Sequence, residues 1–125
     1  MKAHHEVLPV LSAYIEGLYE GDVDLLRKVF HPKAALFGVV RGRAIYVDID
    51  AWLAAVGARE SPKASGEKCT SNVLSVDVTD DVGFARVHSP MLGFNYFDYL
   101  SLIKVDREWV IGTKTYVHVE AENTP

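Results

Sequence analysis

The chain has 125 residues, 49% of them apolar and 24% charged, with a formal net charge of -4 at neutral pH. That length fits one domain able to bury a core without disulfide or metal staples. The acidic balance, with no cluster of Lys or Arg, argues against nucleic acid and anionic membranes as partners, and no apolar run is long enough to cross a bilayer.

From the start, Met1-Lys2-Ala3-His4-His5-Glu6 leads into a helix carrying charges and not into the apolar centre of a signal peptide. Val7, Leu8, Leu11, Tyr14, Ile15, Leu18 and Tyr19 recur at helical spacing, with Glu6, Ser12, Glu16 and Glu20 on the other side. Pro9 is expected in the first turn of this helix, where its missing N–H costs nothing. Gly21 stops the helix, and Asp22 is placed to cap a second one over 23–30 that buries Leu25, Leu26, Val29 and Phe30. His31-Pro32 closes it, because the residue before a proline is pushed out of the helical region. A small hairpin follows, with strands over 35–40 and 44–47 around a turn at Arg41-Gly42-Arg43. Asp48 or Asp50 then caps a third helix whose buried stripe is Ile49, Trp52, Leu53 and Val56. Residues 57–68 have almost no apolar content and no period, and are expected to form a mobile loop.

Two pairs of long strands complete the chain. The first pair, 69–79 and 82–92, flanks a turn at Asp80-Asp81. Cys69 opens it as a small buried or edge residue; being the only cysteine, it forms no internal disulfide and points to a reducing compartment, the cytoplasm. The second pair fills 96–116, rich in aromatic and β-branched residues, with a turn at Asp106, Arg107 and Glu108. In its first arm Tyr96, Asp98, Leu100 and Leu102 project to one face, so a carboxyl group shares a face with two leucines. Residues 120–125 are expected to be a loose tail. The order of elements implies an α+β domain over 1–125, with helices on one face of a curved sheet.

Several segments together resemble the nuclear transport factor 2-like superfamily, the cone-shaped α+β fold shared with ketosteroid isomerases and scytalone dehydratase. They are Tyr14-Ile15-Glu16-Gly17-Leu18-Tyr19-Glu20-Gly21-Asp22, Phe30-His31-Pro32, Arg41-Gly42-Arg43, and Asp98-Tyr99-Leu100-Ser101-Leu102 leading to Glu108-Trp109-Val110-Ile111. Within the superfamily the chain looks most like the lumazine-binding-like branch of small bacterial proteins, over roughly 8–119. The resemblance implies three N-terminal helices packed on a strongly curved, mostly antiparallel sheet. It also implies a pocket between helices and concave sheet, and a homodimer through the outer sheet face.

Set beside the ketosteroid isomerases, Tyr14 falls where they place the tyrosine of their oxyanion hole, and Asp98 at or near the acid that completes it. The logic of such a hole is that a carboxylic acid among apolar groups stays neutral and donates a hydrogen bond to a developing enolate. The isomerases also need a carboxylate base on the first strand after His-Pro. That position falls on Gly38, and no carboxylate occurs between Asp24 and Asp48, so proton transfer lacks an agent. Tyr14 reads first as a core tyrosine, and Asp98 is equally readable as a partner for a backbone amide or neighbouring tyrosine. His88 shares parity with Phe84 and Arg86, which places it outward; were it inward, a His88–Asp98 acid–base pair would follow.

His4, His5, His31, His88 and His118 form no ligand pattern with carboxylates, and no phosphate-cradling glycine loop or nucleophile elbow is present, so neither metal nor cofactor is expected. The leading expectation is a homodimeric binder of a small apolar or aromatic molecule. Its pocket is lined by Tyr14, Phe30, Phe37, Trp52, Asp98 and Leu100, with Tyr14 and Asp98 as polar contacts and 57–68 as a lid. An isomerase or dehydratase using Tyr14 and Asp98, with His88 as a candidate base, is the second expectation. A non-catalytic dimerisation module with a self-filled cavity is the third. Phe84, Tyr99 and Ile103 are the outward groups that place the dimer on the sheet.

Overall fold

The computed structural model describes residues 2–120, with side chains from His4 onward. In chain order the elements are α1 (Lys2–Glu20), α2 (Val23–Val29), β1 (Phe30–Val40), β2 (Arg43–Asp48), α3 (Ile49–Ala58), β3 (Asn72–Thr79), β4 (Val82–Met91), β5 (Phe94–Val105) and β6 (Glu108–Glu120). The strands make one curved six-stranded sheet in the order β2-β1-β6-β5-β4-β3. Every pairing is antiparallel except β1 with β6. The three helices pack against one face of it, as the α+β order of the sequence implies.

Helix α1 buries Val7, Leu11, Tyr14 and Leu18, an i, i+4, i+7, i+11 stripe one side chain wide. Leu8 is exposed and Ile15 and Tyr19 only half-buried, so the stripe is narrower than the sequence suggests. Pro9 lies inside the helix and not in its first turn. Its side chain faces outward, so the carbonyl of His5 that loses its N–H partner is on the solvent side, where the loss is tolerable. Gly21 leaves the helix in the left-handed region at φ +67, and Asp22 Oδ1 accepts from Leu25 N at 3.1 Å to start α2.

Helix α2 stops at Val29, and Phe30 is already the first residue of β1, five positions before the expected strand start. Leu26, Val29 and Phe30 are buried, whereas Leu25 is only half-buried. Asp48, and not Asp50, caps α3, accepting from Ala51 N at 2.8 Å; Asp50 instead pairs with Arg27 at 3.0 Å. Ile49, Trp52, Leu53 and Val56 form the buried stripe of α3 as expected.

Gly57 and Ala58 close α3, and the rest of the expected mobile loop is fastened at several points. Lys63 N donates to Tyr19 O, the Tyr19 hydroxyl donates to Glu67 O at 2.7 Å, and the Glu67 carboxylate accepts from Leu92 N at 3.1 and 3.2 Å. Pro62 is fully buried. Cys69 is exposed and precedes β3, which starts only at Asn72, so it is neither buried nor on a strand. Of the expected tail, Glu120 ends β6 and the remainder lies outside the described residues. The core lies between helices and sheet, where Leu11, Leu26, Leu36, Leu53, Leu100 and Ile111 are sealed from solvent. Each such side chain contributes about 1.5–3 kcal/mol relative to exposure.

Candidate functional site

Parity along β4 and β5 sorts the polar groups. Ala85, Val87, Ser89 and Met91 face inward from β4, and Tyr96, Asp98, Leu100 and Leu102 from β5. His88 is on the outer face, where its Nε2 lies 2.8 Å from Asn95 Oδ1 and its ring stacks on Phe97 at 4.6 Å. The sheet therefore separates His88 from Asp98, and no acid–base pair forms between them.

Strand β6 behaves differently. Leu102 is paired with Ile111 but Ser101 with Thr113, which leaves Gly112 as an extra residue, a β-bulge. Trp109 and Ile111 face inward before it; after it Lys114 and Tyr116 do. Without the bulge Thr113 and Thr115 would occupy those places and Lys114 would point into solvent. A glycine inside a strand is the signal that could have disclosed this.

The bulge brings Lys114, only 3% exposed, beside Asp98 on β5, with Nζ 4.0 Å from Asp98 Oδ2. That oxygen already accepts from the Tyr14 hydroxyl at 2.6 Å, while Asp98 Oδ1 and Ser89 Oγ are buried with no hydrogen-bond partner. The ammonium also lies over three rings, 4.4 Å from the centroid of Trp52, 5.0 Å from Tyr116 and 5.3 Å from Tyr14. Phe30 extends this wall, with ring centroids 5.9 Å from Tyr14 and 5.3 Å from Trp52.

A cavity of about 280 Å³ opens above this group, between α3 and the inner face of the sheet. Ile45, Val47, Trp52, Ala55 and Met91 supply apolar wall, and Arg59, Tyr96, Lys114, Tyr116 and His118 supply polar atoms. Among the described residues no carboxylate is on the wall. Burial pushes the Lys114 amine down to about 8, with the Asp98 charge opposing and the Arg59 charge adding. Burial likewise raises Tyr96 and Tyr116, keeping both phenols protonated donors, and lowers His118, with the Lys114 charge adding to the effect. Tyr14 is held well above the usual phenol range by burial and by the charge and hydrogen bond of Asp98. A wider and more open groove of about 570 Å³ lies by the opposite end of β6, against Glu6, Lys28, Lys104, Arg107 and Trp109, remote from these groups.

Of the six expected lining residues, Trp52 is on the cavity wall. Tyr14, Phe30, Asp98 and Leu100 are buried without reaching the wall. Phe37 is a correction: it is 49% exposed and points to the outer face, where it meets Tyr46 at 5.1 Å, because Leu36 and Gly38 take the inward positions of β1. Gly38 itself answers the missing base, since a Cβ there would overlap the Tyr116 ring. The phenol ring occupies the space in which a carboxylate would stand. Lys114, Tyr116 and His118 went unassigned to the pocket in the sequence. The segment 61–67 does not reach the wall; Arg59, at the C-terminal end of α3, is the nearest part of the expected lid that does. Among the described residues no group of His, Cys, Asp and Glu is arranged to hold a metal ion, and no helix is long and apolar enough to cross a membrane.

The sequence matches the family described as putative lumazine-binding over residues 2–117. No functionally curated protein matches it. Among solved structures it is similar to an NTF2-like protein of unknown function from Shewanella baltica, at 23% identity and a TM-score of 0.86, covering 96% of each chain. A second such protein, from Silicibacter pomeroyi, has 21% identity and a TM-score of 0.84, covering 94% of this chain and 98% of that one. A third, from Methylobacillus flagellatus, gives 22%, 0.84, 94% and 93% in the same order. At these identities the likeness concerns the fold.

Proposed function

This chain belongs to the putative lumazine-binding family, and from that premise we propose that it is a homodimeric small-molecule-binding protein. The observation that carries the reading is the cavity beside α3, with apolar and aromatic walls and a row of donors at its floor. Its volume, about 280 Å³, lies at the lower end for small-molecule sites and suits a compound of roughly one or two rings. Lys114, Arg59, Tyr96 and Tyr116 are all donors at neutral pH, so the ligand presents acceptor oxygen, a carbonyl or carboxylate, to the floor. Its apolar body lies against Trp52, Val47 and Met91. The exposed Cys69 thiol suits a reducing compartment, the cytoplasm.

The dimer is placed on the outer sheet face. Phe84 at 38%, Tyr99 at 45% and Ile103 at 40% exposure form a patch too apolar to leave in water. Sedimentation should give a dimer at micromolar concentration; a monomer there contradicts this part of the reading.

An isomerase or dehydratase remains a second reading, favoured by the 2.6 Å bond that joins Tyr14 to Asp98. Against it, Tyr14 directs its proton at Asp98 instead of at the cavity, and Tyr116 covers the position of the base. A turnover abolished by Asp98→Asn with the fold intact would revive it. The reading of a self-filled interaction module is disfavoured by the open cavity.

Native mass spectrometry of protein purified gently from its host, against the same sample denatured, tests the binder directly. The expected result is a small-molecule increment on each subunit that denaturation removes. A clean protein mass, together with no saturable binding of any apolar ring compound, would overturn it.

A further inference from the structure

Lys114 is placed as few structural lysines are. A buried ion pair repays its desolvation only when the geometry is close and the remaining donors are satisfied. Here Nζ stands 4.0 Å from Asp98 Oδ2, longer than a hydrogen bond, and that oxygen already accepts from Tyr14. The other carboxylate oxygen is buried without a partner. The rest of the amine's surroundings are aromatic faces and the cavity, whose wall it helps to form.

We propose that Lys114 is an amine nucleophile that condenses reversibly with an aldehyde or ketone held in the cavity, giving a protonated imine. The proposal rests on the reading of this cavity as a small-molecule site. The ammonium first gives a proton to solvent through the cavity that it lines. The freed lone pair bonds to the carbonyl carbon, the C=O π pair moves to oxygen, and a proton passes from nitrogen to that oxygen to give a carbinolamine. Solvent then returns the proton to the hydroxyl, the C–O bond breaks, water leaves, and the nitrogen lone pair closes the C=N bond. One positive charge enters and one remains, beside Asp98, and no oxidant or reductant is needed.

The groups facing the amine set its charge: Asp98 from β5, Tyr14 from α1, Arg59 at the end of α3, and Tyr116 and His118 further along β6. With the amine at about 8, roughly a tenth of it is free at pH 7, against less than about a thousandth for a solvated lysine.

The test is incubation of the folded protein with benzaldehyde and cyanoborohydride, followed by peptide mapping, with exposed Lys33 and Lys68 as internal references. Lys114 should be labelled at least tenfold faster than either. Its rate should rise with pH to a plateau above 8, and unreactive benzyl alcohol should slow labelling at Lys114 alone. The Lys114→Arg variant should lose the fast site while Lys33 and Lys68 keep their rates. Labelling of Lys114 no faster than of Lys33, with benzyl alcohol still filling the cavity, overturns the imine and spares the binding site. Failure of both compounds to occupy the cavity overturns both.

Discussion

Among the described residues two cations rest on aromatic rings, one on each face of the sheet. On the outer face Arg86 lies 5.7 Å from the centroid of Tyr99, half-buried. On the inner face Lys114 lies 4.4 Å from Trp52, almost wholly buried, with Asp98 as its carboxylate partner. The contact type is the same. Near solvent it adds about 0.5–1 kcal/mol. Inside the cone desolvation outweighs the charge of the carboxylate, and brings the amine down to about 8. Environment, more than contact, separates a surface patch from a reactive site.

The contrast is sharpest at the counterion. Asp98→Ala removes the acceptor of Tyr14 and leaves the buried ammonium uncompensated, at an expected cost of about 3–5 kcal/mol. Arg86→Ala on the outer face should cost within about 1 kcal/mol. Urea denaturation measures both, and similar losses would break the comparison.

The pH dependence of stability reads the same difference without mutation. In the unfolded chain Lys114 holds its proton up to its ordinary value of 10.5, whereas in the folded chain it loses it near 8. Between pH 8 and 10 the unfolded state therefore binds more protons, and stability should rise by about 2–3 kcal/mol. Above about 10 the raised Tyr14, Tyr96 and Tyr116 reverse the sign, because the unfolded phenols ionise first and stability falls. Lys114→Met should flatten the rise, which urea titrations at stepped pH would resolve.

Gly38→Ala puts a methyl group into the Tyr116 ring, with an expected loss of about 1–3 kcal/mol and weaker ligand binding. Thermal denaturation and a binding titration check the two parts. The smallest effect on stability is expected outside. Phe84→Ser with Tyr99→Ser should shift sedimentation towards monomer while leaving cavity occupancy unchanged, and an altered occupancy would couple the two faces.

How much of this was legible follows from the same strands. On β5 an unbroken alternation places Asp98 inward from sequence alone, and the same rule sends His88 outward from β4. The α3 stripe is equally plain, since Ile49, Trp52, Leu53 and Val56 keep helical spacing. On β6 the alternation is interrupted at Gly112, so a strict reading sends Lys114 to solvent and hides the cation at the centre of the site. Phe37 was misplaced because its aromatic character suggested a lining, whereas parity with buried Leu36 and Gly38 puts it outside. The fastening of 61–67 depends on hydrogen bonds to Tyr19 and Leu92, which composition does not encode.

The central claim is that the cavity over Lys114 is where this protein meets its ligand. Amide chemical-shift mapping during titration with benzyl alcohol tests it most directly. The account predicts saturable shifts at Val47, Trp52, Met91, Tyr96, Lys114 and His118. Shifts confined to the groove around Glu6, Lys28 and Trp109, or to the outer face around Phe84 and Tyr99, would contradict it.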